Sequence, residues 1–454
     1  MSHSIQVRLA RLLARVELPI ILAIAPALMF PTPTRLLALA VVPPLWVAAR
    51  IGVGRATPAT PLNTTLWILL AMTGASLFIT PDLRLSLGKV AGVVLGTLFF
   101  WAVVRQIKTD RRLKLAVIAF LLSGGVLTTI GLLGARIPPR KLPELRPWTD
   151  QLPMVIRGVP GAEDGFNPNA ISGCLILFIP LLVALIFAPL REWLLPLPHA
   201  RRTARWGISG LVVILLLALL AVMMGAMVLL QSRGAWLGLI VALAAFMLWH
   251  GRVSRTLLAT AATGIVIFWS SSGTSRLGVF ADATPIVTSL SSTVEARIDV
   301  WSRALYCIRQ APLTGIGMNT FREVMLVRYP AELGPPAASM PHAHNVFLQT
   351  ALDLGLPGMA AYAMLWVLIA AVLVRTYRGA TVRIYRVLSG GIGAGLLAHF
   401  VFNMTDAIAL GAKPGILFWF SLAVAVGLQQ VAAQTPRQPA VGPATGDSVR
   451  NDPR

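Results

Sequence analysis

The residues best placed for chemistry are two histidines, two arginines and an asparagine. His344 stands in Pro341-His342-Ala343-His344-Asn345, directly before an apolar run, Val346–Leu354, that reads as a helix ending at Gly355. Asn345 suits the N-cap of that helix, Gly355 its C-terminal stop, and Pro357 the first turn of the next. The partial positive charge of a helix N-terminus disfavours an imidazolium. A neutral His344 could then accept a proton as general base, although the same spacing suits two polar loop histidines before a cap. Arg233, in Gln231-Ser232-Arg233-Gly234, lies between two apolar runs at a membrane boundary. A cation there either snorkels to water or holds an anion. Phosphate or diphosphate is the natural partner, because a guanidinium offers it bidentate hydrogen bonds.

Other chemistries lack their residues. The chain has no Walker loop, no G-x-G-x-x-G unit and no His-Glu-x-x-His helix. Its two cysteines, Cys174 and Cys307, give neither a disulfide framework nor a metal spacing. Glu163–Asp164 could help hold a hard cation or form a solvated turn. No metal and no cofactor is required by the sequence.

The elements that must position these groups are membrane helices. Of 454 residues, 56% are hydrophobic and 12% charged, about half the charged share of a soluble domain. Mean hydropathy is +0.75. This excludes disorder, a disulfide scaffold and a soluble multidomain enzyme. The expected fold class is all-α and polytopic, with about twelve spans at Val16–Phe30, Leu36–Ala49, Thr65–Thr80, Leu87–Val104, Lys114–Leu133, Ala170–Leu190, Trp206–Leu230, Ala235–Trp249, Thr256–Ser270, Leu356–Val374, Val387–Met404 and Pro414–Ala432. The net charge of +22 would suggest nucleic acid in a soluble protein. Here the cations cluster in alternate connections, such as Arg105–Lys114, Arg191–Arg205 and Arg375–Arg386, as the positive-inside rule requires. Both termini are therefore expected in the cytoplasm, with no nucleic-acid partner. Ala25-Pro-Ala27 could mimic a signal-peptidase site, but the apolar run continues to Phe30 and a retained first helix is favoured.

The chain divides into residues 1–270, with nine spans and an outer loop at about 135–169; 271–355, a large outer loop carrying the histidine segment; 356–432, with three spans; and a disordered cytoplasmic tail, 433–454. Loops this long are uncommon unless functional or disordered. Within the second loop Val294, Ile298, Trp301, Leu305 and Ile308 form one helical stripe. That stripe puts Arg297 on the margin of the packed face and Arg303 toward solvent.

His344-Asn345, nine residues, Gly355, two residues and Gly358 together resemble the signature of the bacterial O-antigen ligase superfamily. Ser232-Arg233-Gly234-Ala235-Trp236-Leu237, the block Arg297…Trp301…Ala304…Pro312…Gly315-Ile316-Gly317, and Asn167-Pro168-Asn169 resemble further family segments in the same order. The resemblance implies a membrane-embedded C-type glycosyltransferase of the inner membrane with a periplasm-facing site. It would move a polysaccharide from undecaprenyl diphosphate to the lipid A–core oligosaccharide, inverting the anomeric centre without metal or ATP. By motif, His344 corresponds to the essential histidine, and Arg233 and Arg297 to diphosphate-binding arginines. His342, Asn345 and Asn169 join the expected substrate-binding set. Arg157 and Lys413, with Arg136, Arg140 and Lys141, are outer cations that could line the substrate sites or remain solvated.

Three rivals share the donor. An O-antigen polymerase would resemble its relatives through Arg-x10-Gly motifs, but Arg146 to Gly158, Arg303 to Gly315 and Arg322 to Gly334 each enclose one residue more. A protein O-oligosaccharyltransferase would differ only in acceptor. A lipid-linked glycan transporter should show internal repeats or mid-membrane charge, and neither is evident.

Overall fold

The computed structural model describes residues 8, 10, 12, 13, 16–136, 146–151, 154–159, 162–194, 210–249, 284–327 and 342–435. Among these the protein is helical and has no strand. The helices are α1 (Glu17–Met29), α2 (Val42–Val53, continuing a 3-10 stretch from Arg35), α3 (Asn63–Ile79), α4 (Leu83–Gln106), α5 (Asp110–Gly134), α6 (Pro168–Leu175), α7 (Ile179–Leu194), α8 (Gly210–Leu230), α9 (Arg233–Trp249), α10 (Thr284–Gln310), α11 (Phe321–Val327), α12 (Val346–Gly379), α13 (Arg383–Thr405) and α14 (Ile416–Gln434).

Eight helical segments among the described residues are long and apolar enough to cross a membrane. Together with the shorter apolar helices α1, α3 and α9 they coincide with every expected span but the ninth, Thr256–Ser270. That span, and the tail beyond 435, lie outside the described residues, as do Arg140 and Lys141. The fold is that of a polytopic membrane protein. Its solvent shows in α8, which buries Met223, Ala226, Met227 and Leu230 and leaves Leu211, Ile214 and Leu215 exposed. An apolar helix with an apolar outer face is stable only against lipid.

The connections sort into two ends. At one end Arg105 bonds Glu17 at 2.6 Å and the Ala56 carbonyl, Arg383 donates to the Ala188 carbonyl at 3.0 Å, and Tyr385 donates to Asp110 at 3.0 Å. At the other, Ser86 donates to the Met318 carbonyl at 2.6 Å, and Lys413 lies 4.1 Å over the Phe30 ring. Residues assigned to one side by the charge pattern thus meet only others of that side in these contacts.

The second end carries its own small core. Val300, Ala304, Cys307, Ile308, Ile316, Phe321, Met325, Ala343, Ala351 and Leu352 pack as a cluster apart from the main bundle core. It joins α10, α11 and the start of α12. Here the expected face of α10 needs correction. Ile298 and Leu305 are 59% and 46% exposed, whereas Arg303 is 1% exposed. The packed stripe is Val300, Arg303, Ala304, Cys307 and Ile308, which shares Ile308 with the expected one. Small side chains let α10 approach α12 closely. The Arg303 charge is offset by Asp299 one turn earlier, at 2.8 Å, which makes its burial tolerable. Arg297 is half-buried, as its place at the margin suggested.

Candidate active site

The histidine segment is held from several directions. Asn345 caps α12, its Oδ1 accepting from the N–H groups of Phe347 at 3.0 Å and Leu348 at 3.2 Å. Its amide reaches the Met404 carbonyl on α13 at 3.5 Å. Ala343, between the histidines, is fixed on both sides of its backbone. Its N–H donates to Gln349 Oε1 at 2.9 Å, and its carbonyl accepts from Trp301 Nε1 at 2.9 Å. Gln349 in turn donates to Asp353 at 2.8 Å, and Asp353 pairs with Lys89 at 3.8 Å. These bonds hold His344 in the left-handed region, with φ 49°. A non-glycine residue there costs about 1–2 kcal/mol and persists only when its surroundings enforce it.

The reason for the break at Gly355 lies in the segment before α11. Gly355 has φ 71° and ψ 177°, dividing α12 into a short cap-bearing piece and a long span. A Cβ at Gly355 would strike the Leu313 carbonyl, and one at Gly315 the Leu352 carbonyl. Ile316 N–H donates to Leu352 O at 2.7 Å, and Leu356 N–H to Pro312 O at 2.7 Å. The Gly315-Ile316-Gly317 segment and the glycine after the histidines are therefore two halves of one joint.

The side-chain chemistry converges on a residue that sequence reading missed. His344 Nδ1 lies 3.1 Å from Asp406 Oδ1, and His342 Nε2 lies 4.0 Å from the same oxygen. The two imidazole centroids are 4.2 Å apart. Asp406 follows the last residue of α13, 62 positions after His344. Burial pushes its carboxyl up. The His344 hydrogen bond and charge, the His342 charge and the Ala407 N–H outweigh burial and hold it below the usual carboxylate range. Burial pushes His342 down to about 4; the His344 and Lys89 charges add to this and Asp406 opposes it. In the tautomer that carries its proton on Nδ1, His344 donates that proton to the Asp406 carboxylate. This leaves Nε2 as the basic nitrogen. One acidic residue, Asp406, stands between Asp353 and Asp447. A lone carboxylate at the end of an apolar span was the signal available.

His342 and Asp406 line a small open cleft of about 90 Å³ with Asn167, Ala170, Phe402, Ala407, Ile408, Ala412 and Pro414. Asn167 caps α6 through the N–H of Asn169 at 2.8 Å, so Asn167 borders the cleft and Asn169 sits half-buried behind it. Lys413 is exposed between two lining residues. Arg233 is the exposed first residue of α9, after a turn in which Gln231 takes φ 54°. Its neighbour Gly234 packs so closely on α13 that a Cβ would stand 2.8 Å from Thr405 Oγ1. Arg233 therefore begins beside the residue that precedes Asp406. Arg297 lies one helical turn before Trp301, on the side of α10 that touches Ala343. Arg157 is exposed, and Asp164 pairs with Arg136 at 3.2 Å on the surface.

Polar groups gathered at one end of an apolar bundle define a polytopic membrane protein with a rim site. Residues 218–363 match the family model described as O-antigen ligase, so this stretch of the chain is similar to that family. Members of that family are glycosyltransferase-like enzymes, ligases and polymerases. The matched stretch runs from α8 into α12 and holds Arg233, Arg297, His342 and His344; Asp406 lies beyond it. No curated protein matches significantly.

Proposed function

We propose that the protein is an O-antigen ligase of the bacterial inner membrane, with this rim facing the periplasm. It transfers polysaccharide from undecaprenyl diphosphate to lipid A–core. The observation that carries the reading is the 3.1 Å contact between His344 Nδ1 and Asp406 on a capped, doubly pinned loop beside a cleft. His344 Nε2 takes the proton of the acceptor hydroxyl as its oxygen attacks the anomeric carbon. The bond to the diphosphate breaks on the opposite face, inverting the centre. Arg233 and Arg297 stabilise the charge that develops on the departing diphosphate. Asp406 stabilises the imidazolium formed in the same step. Neither metal nor nucleotide enters these steps, and both substrates are brought together by the lipid plane and the rim. Arg157, Asn169, Lys413, His342 and Asn345 border the substrates.

The test is transfer by the purified protein in liposomes, given an undecaprenyl-diphosphate glycan and lipid A–core, with chelator and without ATP. A shift of the core lipid on a gel, absent with His344→Ala, is the expected result. Longer carrier-linked chains without core modification would replace this reading with a polymerase. Transfer to a protein acceptor alone would replace it with an oligosaccharyltransferase.

A further inference from the structure

The donor atoms around Asp406 have a second capability. One atom each from His342, His344 and Asp406 lies within 4.8 Å of the others, and these three form the metal-capable group among the described residues. A tetrahedral Zn2+ with bonds of about 2.0–2.1 Å holds its ligands about 3.3 Å apart. The His344–Asp406 and His342–Asp406 separations, 3.1 Å and 4.0 Å, straddle that value. Small side-chain rotations close the set. Two imidazoles and one carboxylate form the borderline donor set that suits zinc, whereas Mg2+ and Ca2+ prefer oxygen. Two of the three ligands, His342 and Asp406, line the cleft, through which solvent reaches the set.

We propose that these three residues bind Zn2+, and that its binding switches the enzyme off. The inhibitory step follows from tautomerism. Zinc on His344 Nδ1 takes the lone pair of that nitrogen, so the single proton of a neutral ring moves to Nε2. The ring then has no basic nitrogen for the acceptor hydroxyl. Asp406, ligated to the ion, no longer accepts from the ring. At His342, zinc on Nε2 puts the ring proton on Nδ1. The 3.3 Å contact that Nδ1 accepts from the His344 N–H must open, a modest cost for a bond already long. Lys89 is the neighbouring cation, and its pairing with Asp353 offsets its repulsion of the metal. Inhibition rests on the reading of His344 as the base; binding does not.

The experiment uses the tag-free full-length protein and Zn2+ itself. Equilibrium dialysis with elemental analysis counts the metal in wild type, His342→Gln, His344→Gln and Asp406→Asn, each confirmed monodisperse by gel filtration. Transfer is assayed before loading, after loading and after chelation. One zinc per chain is expected, with affinity falling about tenfold or more in each variant, and transfer lost on loading and restored by chelator. No retained zinc, or zinc indifferent to all three variants, overturns the site. A zinc-loaded enzyme that transfers at the wild-type rate overturns the switch. The two readings fail separately: zinc absent while His344→Gln is inactive removes only the metal site, and transfer by His344→Gln removes only the base.

Discussion

Asp406→Asn isolates the contribution of the partner carboxylate. The substitution keeps size and shape and removes the charge that lies 3.1 Å from His344 Nδ1. A hydrogen bond to a charged group contributes about 1.5–3 kcal/mol. That bond is fully developed when the ring becomes an imidazolium, so its loss falls on the transition state. At 1.36 kcal/mol per decade, a loss of about 2–3 kcal/mol lowers kcat about 30- to 160-fold. Asp406 acts through His344, so KM for the core lipid should move little. The side chain is 13% exposed, and the amide can still bond the Ala407 N–H at its 2.9 Å position, so the melting temperature should stay near wild type. Steady-state kinetics in liposomes with a parallel thermal melt would measure both. A kcat within about threefold of wild type, a change far below one decade, would refute the assignment of Asp406. A fall in kcat matched by a fall in melting temperature would make the residue structural.

The other predictions concern the groups around this pair. Arg233→Ala and Arg297→Ala should each raise the donor Kd, measured by binding of a labelled undecaprenyl-diphosphate glycan; unchanged affinity in both would remove their assigned role. Gln349→Met leaves the Ala343 N–H without its acceptor and Asp353 without its amide donor, so it should cost about 1–3 kcal/mol of stability and lower kcat more than it raises KM. Gly355→Ala combines positive φ with a collision at the Leu313 carbonyl, and should lower the melting temperature or yield more strongly than Ala at the exposed Gly379. His342 titrates lower in the folded protein than in the unfolded chain, so the unfolded state binds more protons between about pH 4 and 6.5. Stability should therefore fall on acidification through that window, with a ceiling of about 3 kcal/mol from this group. The decline should flatten in His342→Gln, read by denaturation at a series of pH values.

Much of this was legible because lipid enforces simple rules. Runs of apolar residues marked the spans, and the Asn345 cap and Gly355 break followed from residue types that few other positions need. The α10 face was misread because periodicity counts large apolar residues. The packed side instead uses Ala304, Cys307 and an arginine neutralised by Asp299, an arrangement whose stability comes from the α12 surface opposite. Asp406 escaped because its partnership with His344 is made by helix packing between α12 and α13, and spacing along the chain carries no trace of it. The roles of Arg233 and Arg297 came from motif resemblance, and packing then supplied their neighbours.

The position of Ala343 in the small core has a practical consequence. Ala343 packs with α10 and α11, while Asp406 stands at the end of α13, so the His–Asp contact joins the small core to the end of the main bundle. A local opening at that joint leaves the long helices intact. Solubilisation in a harsh detergent should thus yield material that is monodisperse and fully helical by circular dichroism, yet without transferase activity. Helical content is a poor guide to the quality of such a preparation; the spacing of two labels placed across that joint, on α10 and after α13, is the better one.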